Sequence, residues 1–428
     1  MRKKAGFHKT VEAHKLRARM KRKKAKNQPK QEAKKIQVAK YSHGNIFNGD
    51  CIRVMRSLPE NSYTAIVSDP PYGIEFAGSD WDKALPSKYV WKHAMRVLKP
   101  GGMMLIFGGS RTFHRVAVAI EDAGFVIKDI MLWLHGMGFP HGLDMGRAID
   151  KRFGLTGEEV EVEARYNNGK KGSFTFKKPA SPEAKLWDGW NTVLKPAYEP
   201  VIIAMKPMDG SYIDNALEHG VAGLNIDATR VPSKEGDYTN RPVYVHNNNK
   251  TAVVNTNTSE RIVSVPSDLG RYPANVILDE EAASQLDEQT GDLRGTKSAT
   301  KGRRGYTPSN EHRGMSTHTH YGTEAYGDSG GASRFFYTAK PSKKEKGKYN
   351  KHPTVKPISL MEYVLKFVIM PQGTKVLDPF SGSGTTLVAA QNLGIHCDGC
   401  ELQPEYFELI QRRVNENFLR IKEEQSVN

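Results

Sequence analysis

Residues 375–401 constrain the fold of this 428-residue chain more tightly than any other stretch. Lys375-Val-Leu377 reads as a buried strand, and it runs into a glycine turn, Asp378-Pro-Phe-Ser-Gly-Ser-Gly-Thr-Thr386. Thr385 to Leu393 then reads as a helix that Gly394 stops. Ile395-His-Cys-Asp-Gly-Cys400 is a second strand, with Glu401 at its end. A strand, a glycine turn, a helix and an acid-tipped strand make a βαβ nucleotide-binding unit. Such a unit needs a parallel sheet with helices on its faces.

The details of the turn narrow the ligand. Gly382 and Gly384 let the backbone come close to a bound molecule, and Glu401 stands where a ribose-binding acid belongs. A dinucleotide turn needs a third glycine where Leu387 stands. A P-loop needs a lysine directly after Gly384, and Thr385 is there instead. Asp378 at the strand tip repels a pyrophosphate. It suits a cationic, phosphate-free ligand with a ribose, such as S-adenosylmethionine, through its amino group and sulfonium.

A second loop closes a second buried strand about three hundred residues earlier. Tyr63-Thr-Ala-Ile-Val-Ser68 is apolar, and Asp69-Pro70-Pro71-Tyr72 follows it. Two successive prolines have no N–H to give the ladder, so the strand stops and presents a carboxylate, a stiffened carbonyl and a ring at its tip. Around and after the first loop, apolar runs at 103–107, 125–134 and 198–205 alternate with helical spacings at 51–58, 87–98 and 111–123, the rhythm of an open α/β sheet.

Composition matters mainly for the ends and the middle. Of the net charge of +16, residues 1–40 carry 16 Lys/Arg against 2 Asp/Glu, so the body is nearly neutral and the basicity belongs to a tail suited to a phosphate backbone. Residues 155–190 read as polar and irregular. Residues 208–345 read as a loop-rich insertion rather than a unit with its own core. His312, His318 and His320 match no standard ligand spacing, so no metal site is expected. Three cysteines are too few for a disulfide framework and suit a reducing cytoplasm. Cys397 and Cys400 straddle a buried strand and read as core. No run is long and apolar enough for a membrane helix.

Together, Asp69-Pro-Pro-Tyr72 and Asp378-Pro-Phe-Ser-Gly-Ser-Gly384, in that order, resemble the DNA amino-methyltransferases of the beta group. These transfer a methyl group from S-adenosylmethionine to N6 of adenine or N4 of cytosine. The resemblance implies a doubly wound, mostly parallel seven-stranded sheet, Rossmann-like, with one reversed strand and in permuted chain order. It implies a catalytic half (41–207), a target-recognition insertion (208–345) and a cofactor-binding half (346–428), and it leaves the basic tail (1–40) outside.

The resemblance implies that Asp69 and the Pro70 carbonyl accept the amine hydrogens, with Pro71 stiffening the loop and Tyr72 stacking on a flipped base. It places the cofactor on Asp378, Phe380, Ser381, Gly382, Ser383, Gly384, Thr385 and Glu401. His352-Pro-Thr-Val-Lys-Pro357 is similar to the family's segment beside the methionine part, where Lys356 would pair with the carboxylate and Thr354 would hydrogen-bond to it. Asp50 is similar to the acid that meets the adenine amino group, and it also reads as a helix N-cap. Phe76 and Trp81 are candidates for the base pocket. An aspartate at position 69 leans toward adenine. The implied partner is double-stranded DNA, with a homodimer left open. RNA or a protein amide as substrate, and an inert DNA-binding relative, are the rival readings.

Overall fold

The structure, a computed structural model, describes residues 36–136, 138, 142–165, 171–232, 270–294, 329–340, 349–350 and 352–427. The strands among them are β1 (Gln37–Tyr41), β2 (Gly44–Asn48), β3 (Tyr63–Ser68), β4 (Leu98–Phe107), β5 (Val126–Leu134), β6 (Glu159–Arg165), β7 (Lys171–Lys177), β8 (Tyr198–Met205), β9 (Val276–Asp279), β10 (Leu293–Arg294), β11 (Ser329–Gly330), β12 (Tyr337–Ala339), β13 (Lys375–Asp378) and β14 (His396–Glu401). Ten of them form one sheet in the order β1-β2-β14-β13-β3-β4-β8-β5-β9-β12.

The expected doubly wound sheet forms the middle of this one. From β2 to β5 it has seven strands, all parallel except β8, which runs antiparallel to both β4 and β5. Three strands extend that seven. β1 pairs antiparallel with β2 at one edge, and β9 and β12 add in parallel beyond β5 at the other.

Helices cover both faces, and the strands alternate to match. Ala65 and Val67 of β3 pack with Leu360, Val364, Leu387 and Ile410 on one face. Tyr63 and Ile66 pack with Trp91, Val97, Val116 and Ile120 on the other. Every residue of β3 is buried, as a central parallel strand requires.

One sequence expectation needs correction. Residues 155–190 are not irregular: β6 and β7 form an antiparallel hairpin, and a short helix spans Pro182–Leu186. The signal was the strict alternation of Glu159-Val-Glu-Val-Glu163, which has period two and so is a strand pattern despite its charge. The described part of the stretch 208–345 adds β9 and β12 to the main sheet. Ile277, Leu278 and Ala339 are buried in the extended sheet, and Asp279 caps the helix Glu280–Thr290. Residues 233–269, 295–328 and 341–348, with the three histidines, lie outside the described residues, as do residues 1–35 of the basic tail. The first described strand begins before Tyr41, with Gln37 paired to Asn48. Among the described residues, no helix is long and apolar enough to cross a membrane.

Candidate active site

The two loops meet. β3 and β13 are parallel neighbours, with Ala65 beside Val376 and Ile66 beside Leu377, so both carboxyl ends open on the same side of the sheet. In open α/β sheets, ligands bind in the crevice outside those ends. The Ser68 hydroxyl joins the two strand tips directly by donating to Asp378 Oδ1 at 2.5 Å. Above them lies a cavity of about 1070 Å³, with Asp69 to Tyr72 on one wall and Asp378 to Ser383 and Glu401 on the other.

The cofactor-side wall is built from backbone hydrogen bonds. Glu401 accepts from the N–H groups of Gly382 and Gln403, both at 2.8 Å, which fixes its carboxylate against the glycine turn. Phe380 N–H donates to Asp378 Oδ1 at 3.0 Å. Gly382 has φ +52°, and a Cβ there would come within 3.1 Å of the His352 ring, so this turn has no room for a side chain. Gly384, at φ +81°, turns the chain into the helix Thr385–Asn392 with Ile410 at its back rather than standing on the cavity wall. Ser383 Oγ and Thr385 Oγ1 both accept from the buried Arg413 guanidinium, at 3.0 and 3.1 Å, so they brace the turn from behind as well as bordering the cavity.

Burial raises both acids of this wall. Asp378 is pushed up to about 6, with Ser68, Thr386 and the Phe380 amide opposing the rise. Glu401 is pushed up to about 7, with the Gln403 and Gly382 amides opposing it. A carboxyl raised on folding binds more protons in the native state than in the unfolded one. Its stabilising contribution is therefore complete below its unfolded value and is lost as pH rises through its folded value. For Glu401 the window runs from about 4.5 to about 7 and carries on the order of 3 kcal/mol. Glu401→Gln should flatten the fall in melting temperature between pH 5 and pH 8 relative to wild type. Parallel curves for the two proteins would place the titration elsewhere.

These residues fit S-adenosylmethionine. Two carboxyl groups that gain from a nearby positive charge, Asp378 and Glu401, share this wall with Pro379 and Phe380. Asp50 borders the same cavity while its side chain accepts from Arg53 N–H at 3.1 Å, so it does act as an N-cap.

The opposite wall is a closed ionic cluster. Lys356 Nζ lies 2.6 Å from Asp69 Oδ2 and 3.1 Å from Glu199 Oε2. Tyr72 Oη lies 2.7 Å from Asp69 Oδ1 and 2.7 Å from Glu199 Oε2. Burial works against the Lys356 charge, but Asp69 and Glu199 outweigh it and hold the ammonium above the usual lysine range. Burial raises Asp69, and the Lys356 ammonium opposes that rise. The structure thus puts Lys356 on the Asp69 carboxylate, where the sequence reading had it facing a methionine carboxylate. Thr354 borders the cavity, and its carbonyl lies 3.0 Å from His352 Nδ1. Phe76 and Trp81 also line it, and Trp81 stacks on His352 at 5.8 Å.

Two residues of this wall escaped the sequence reading. Glu199 stands at the start of the apolar strand β8, an acid at the mouth of an otherwise buried run, and that position was its signal. Asp82 is buried and accepts four backbone N–H groups, from Tyr72 at 2.6 Å, Gly73 at 2.9 Å, Ile74 at 3.2 Å and Phe76 at 3.0 Å. It ties down the segment that leaves the Asp69 loop. Cys397 and Cys400 are buried in the sheet with free thiols.

Comparison with known proteins identifies a family. A protein-family model described as DNA methylase, of the N6 and N4 type, matches residues 63–412. A type II methyltransferase of Lactococcus lactis, M2.LlaDCHI, is 35% identical over 214 residues, 42% of this chain and 78% of that protein. The type II methyltransferase M.HindIII of Haemophilus influenzae is 27% identical over 227 residues, and the chain spans 64% of its length. The solved structure of the PvuII DNA methyltransferase, cytosine-N4-specific, is 15% identical with a TM-score of 0.40, over 89% of this chain and 93% of that one. The match over residues 63–412 takes in both strand-tip loops and the cavity between them, and with it the chain belongs to the N6/N4 DNA methylase family.

Proposed function

We propose that this protein methylates the exocyclic amine of a base in double-stranded DNA at a specific sequence, with N6 of adenine as the target. S-adenosylmethionine is the cofactor expected of the family. One observation carries the reading: the Asp69 loop and the Asp378 loop, separated by some three hundred residues in sequence, face one cavity from adjacent strand tips.

When bound, S-adenosylmethionine supplies an electrophilic methyl group on a sulfonium. The chain's own residues do the rest. Asp378 and Glu401 set the cofactor's position on one wall, with Phe380, Ser381 and Gly382 shaping it. On the other wall, Asp69 and the Pro70 carbonyl accept the two hydrogens of the amine. That pulls the nitrogen lone pair out of the ring and aims it across the cavity. Tyr72 offers a ring to a base taken out of the duplex. The rate advantage is then mostly positional and electrostatic. The basic residues 1–40 add sequence-independent attraction to the phosphate backbone.

The choice of adenine rests on Asp69 and is the finer part of the proposal. Expression in a methylation-free bacterial host, followed by genome sequencing with base-modification detection, tests it. N6-methyladenine at one short motif is the expected result. N4-methylcytosine at such a motif would move the target base. Unmodified genomic DNA, with methyl groups found in RNA or protein instead, would overturn the substrate class.

A further inference from the structure

The ionic cluster around Asp69 poses a problem for the reaction. Both oxygens of that carboxylate are engaged, Oδ1 by the Tyr72 hydroxyl and Oδ2 by the Lys356 ammonium. Yet the proposed chemistry needs Asp69 to receive a hydrogen of the substrate amine. An ammonium 2.6 Å from the acceptor weakens it as a base, because the positive charge favours the ionised carboxylate.

Glu199 offers a way out. Its Oε2 lies 2.7 Å from the same Tyr72 hydroxyl and 3.1 Å from the same Lys356 ammonium. The Tyr72 hydroxyl has one proton and two carboxylate oxygens at equal distance, so it can donate to only one of them at a time. The Lys356 ammonium has three N–H donors and meets both acids at once, Asp69 at 2.6 Å and Glu199 at 3.1 Å. Asp69 and Glu199 are thus alternative acceptors for one hydroxyl proton and joint counter-ions for one ammonium. Lys356 is 9% exposed and its ammonium lies near the faces of Tyr72 and Phe107, at 5.4 and 5.3 Å, so water does not offer it a third seat of equal quality.

We propose that Glu199 is a positioning residue that takes over Tyr72 and Lys356 when the substrate amine claims Asp69. The proposal rests on the methyltransferase reading and deepens it. As the nitrogen lone pair forms the new N–CH3 bond, the S–CH3 bond breaks and its electron pair stays on sulfur. The nitrogen then carries one proton too many. That N–H bond breaks with its electrons left on nitrogen, and the proton goes to the Asp69 carboxylate. Asp69 becomes a neutral acid with no further claim on a cation. The Lys356 charge then needs another anion, and Glu199 is already within reach. Without Glu199, neutralising Asp69 would strand a buried ammonium.

The test is a double-mutant cycle on single-turnover methyl transfer, using the DNA sequence found by base-modification sequencing. Calorimetric cofactor binding is the second readout. Glu199→Gln keeps the shape and an acceptor for Tyr72 but removes the second anion. It should slow transfer by about a hundredfold, the low end for loss of one charge-stabilising group. The cofactor dissociation constant should stay within about threefold of wild type, since Glu199 belongs to the opposite wall. Lys356→Met removes the cation that has to be relocated. In that background, adding Glu199→Gln should cost less than about threefold, because contacting residues in one network are strongly non-additive. Additive losses, or a cofactor affinity that falls with the rate, would make Glu199 an ordinary structural acid and overturn the proposal. A wild-type protein that leaves the DNA unmethylated would instead remove the methyltransferase reading itself, so the two failures are distinguishable.

Discussion

Asp69→Ala should lower the rate of methyl transfer by about a thousandfold or more while the cofactor dissociation constant moves by less than about threefold. The asymmetry follows from the two walls. Asp69 sits at the tip of β3 with Lys356, Tyr72 and Glu199, whereas the proposed cofactor contacts sit at the tips of β13 and β14. The substitution removes the acceptor of the amine hydrogen and leaves Lys356 with Glu199 as its remaining carboxylate. Losing one partner of a buried ion pair also costs stability, about 3 kcal/mol or more. Asp69→Asn is therefore the control, since it keeps the volume and a hydrogen-bond acceptor. It should fold better than the alanine variant and still transfer poorly, because an amide oxygen accepts a hydrogen bond but is a far weaker proton acceptor. If rate and cofactor affinity fell in parallel in both variants, Asp69 would be a structural acid of the loop.

Asp82→Ala is expected to dismantle the catalytic wall from behind. One carboxylate satisfies four backbone N–H groups between residues 72 and 76. Each buried donor left without a partner costs about 1–3 kcal/mol, so the loop loses more than it can retain as a local structure. Hydrogen exchange should show loss of protection confined to the amides of residues 72–76, with β3 and β13 still protected. Transfer should fall about as far as in Asp69→Ala, with cofactor binding retained. Protection unchanged in that segment would mean that neighbouring contacts, such as the Thr112 hydroxyl on the Tyr72 carbonyl at 2.8 Å, hold the loop on their own.

What the sequence made legible was local. The apolar run to Ser68, the double proline, the glycine turn and the acid at the end of β14 each follow from short-range rules, and each specifies its own strand end. That β3 and β13 are neighbours is a tertiary fact. It was inferable only because βαβ units of this kind leave ligand-binding turns at strand tips. Asp82 and Glu199 were invisible for a related reason. An isolated acid carries no pattern, and its role appears only when the partners converge, four amides in one case and a lysine from 157 positions downstream in the other. The hairpin β6–β7 was missed differently. Its alternation is present in the sequence, but every second residue from 159 to 163 is a glutamate, so the period carries little hydrophobic contrast.

The neighbouring placement of β3 and β13 also sets the order in which the molecule can assemble. The hydrogen bond between Ser68 and Asp378 closes a separation of 310 residues, and β2 likewise waits for β14, since Ile46 pairs with Gly399. During synthesis from the N-terminus, one side of β3 stays open until nearly the whole chain has been made. Contacts of such high sequence separation are slow to form and leave hydrophobic strand edges exposed meanwhile. The reactive cavity therefore comes into existence only with the last quarter of the polypeptide. A nascent or truncated chain holds the Asp69 loop but has no second wall to work against.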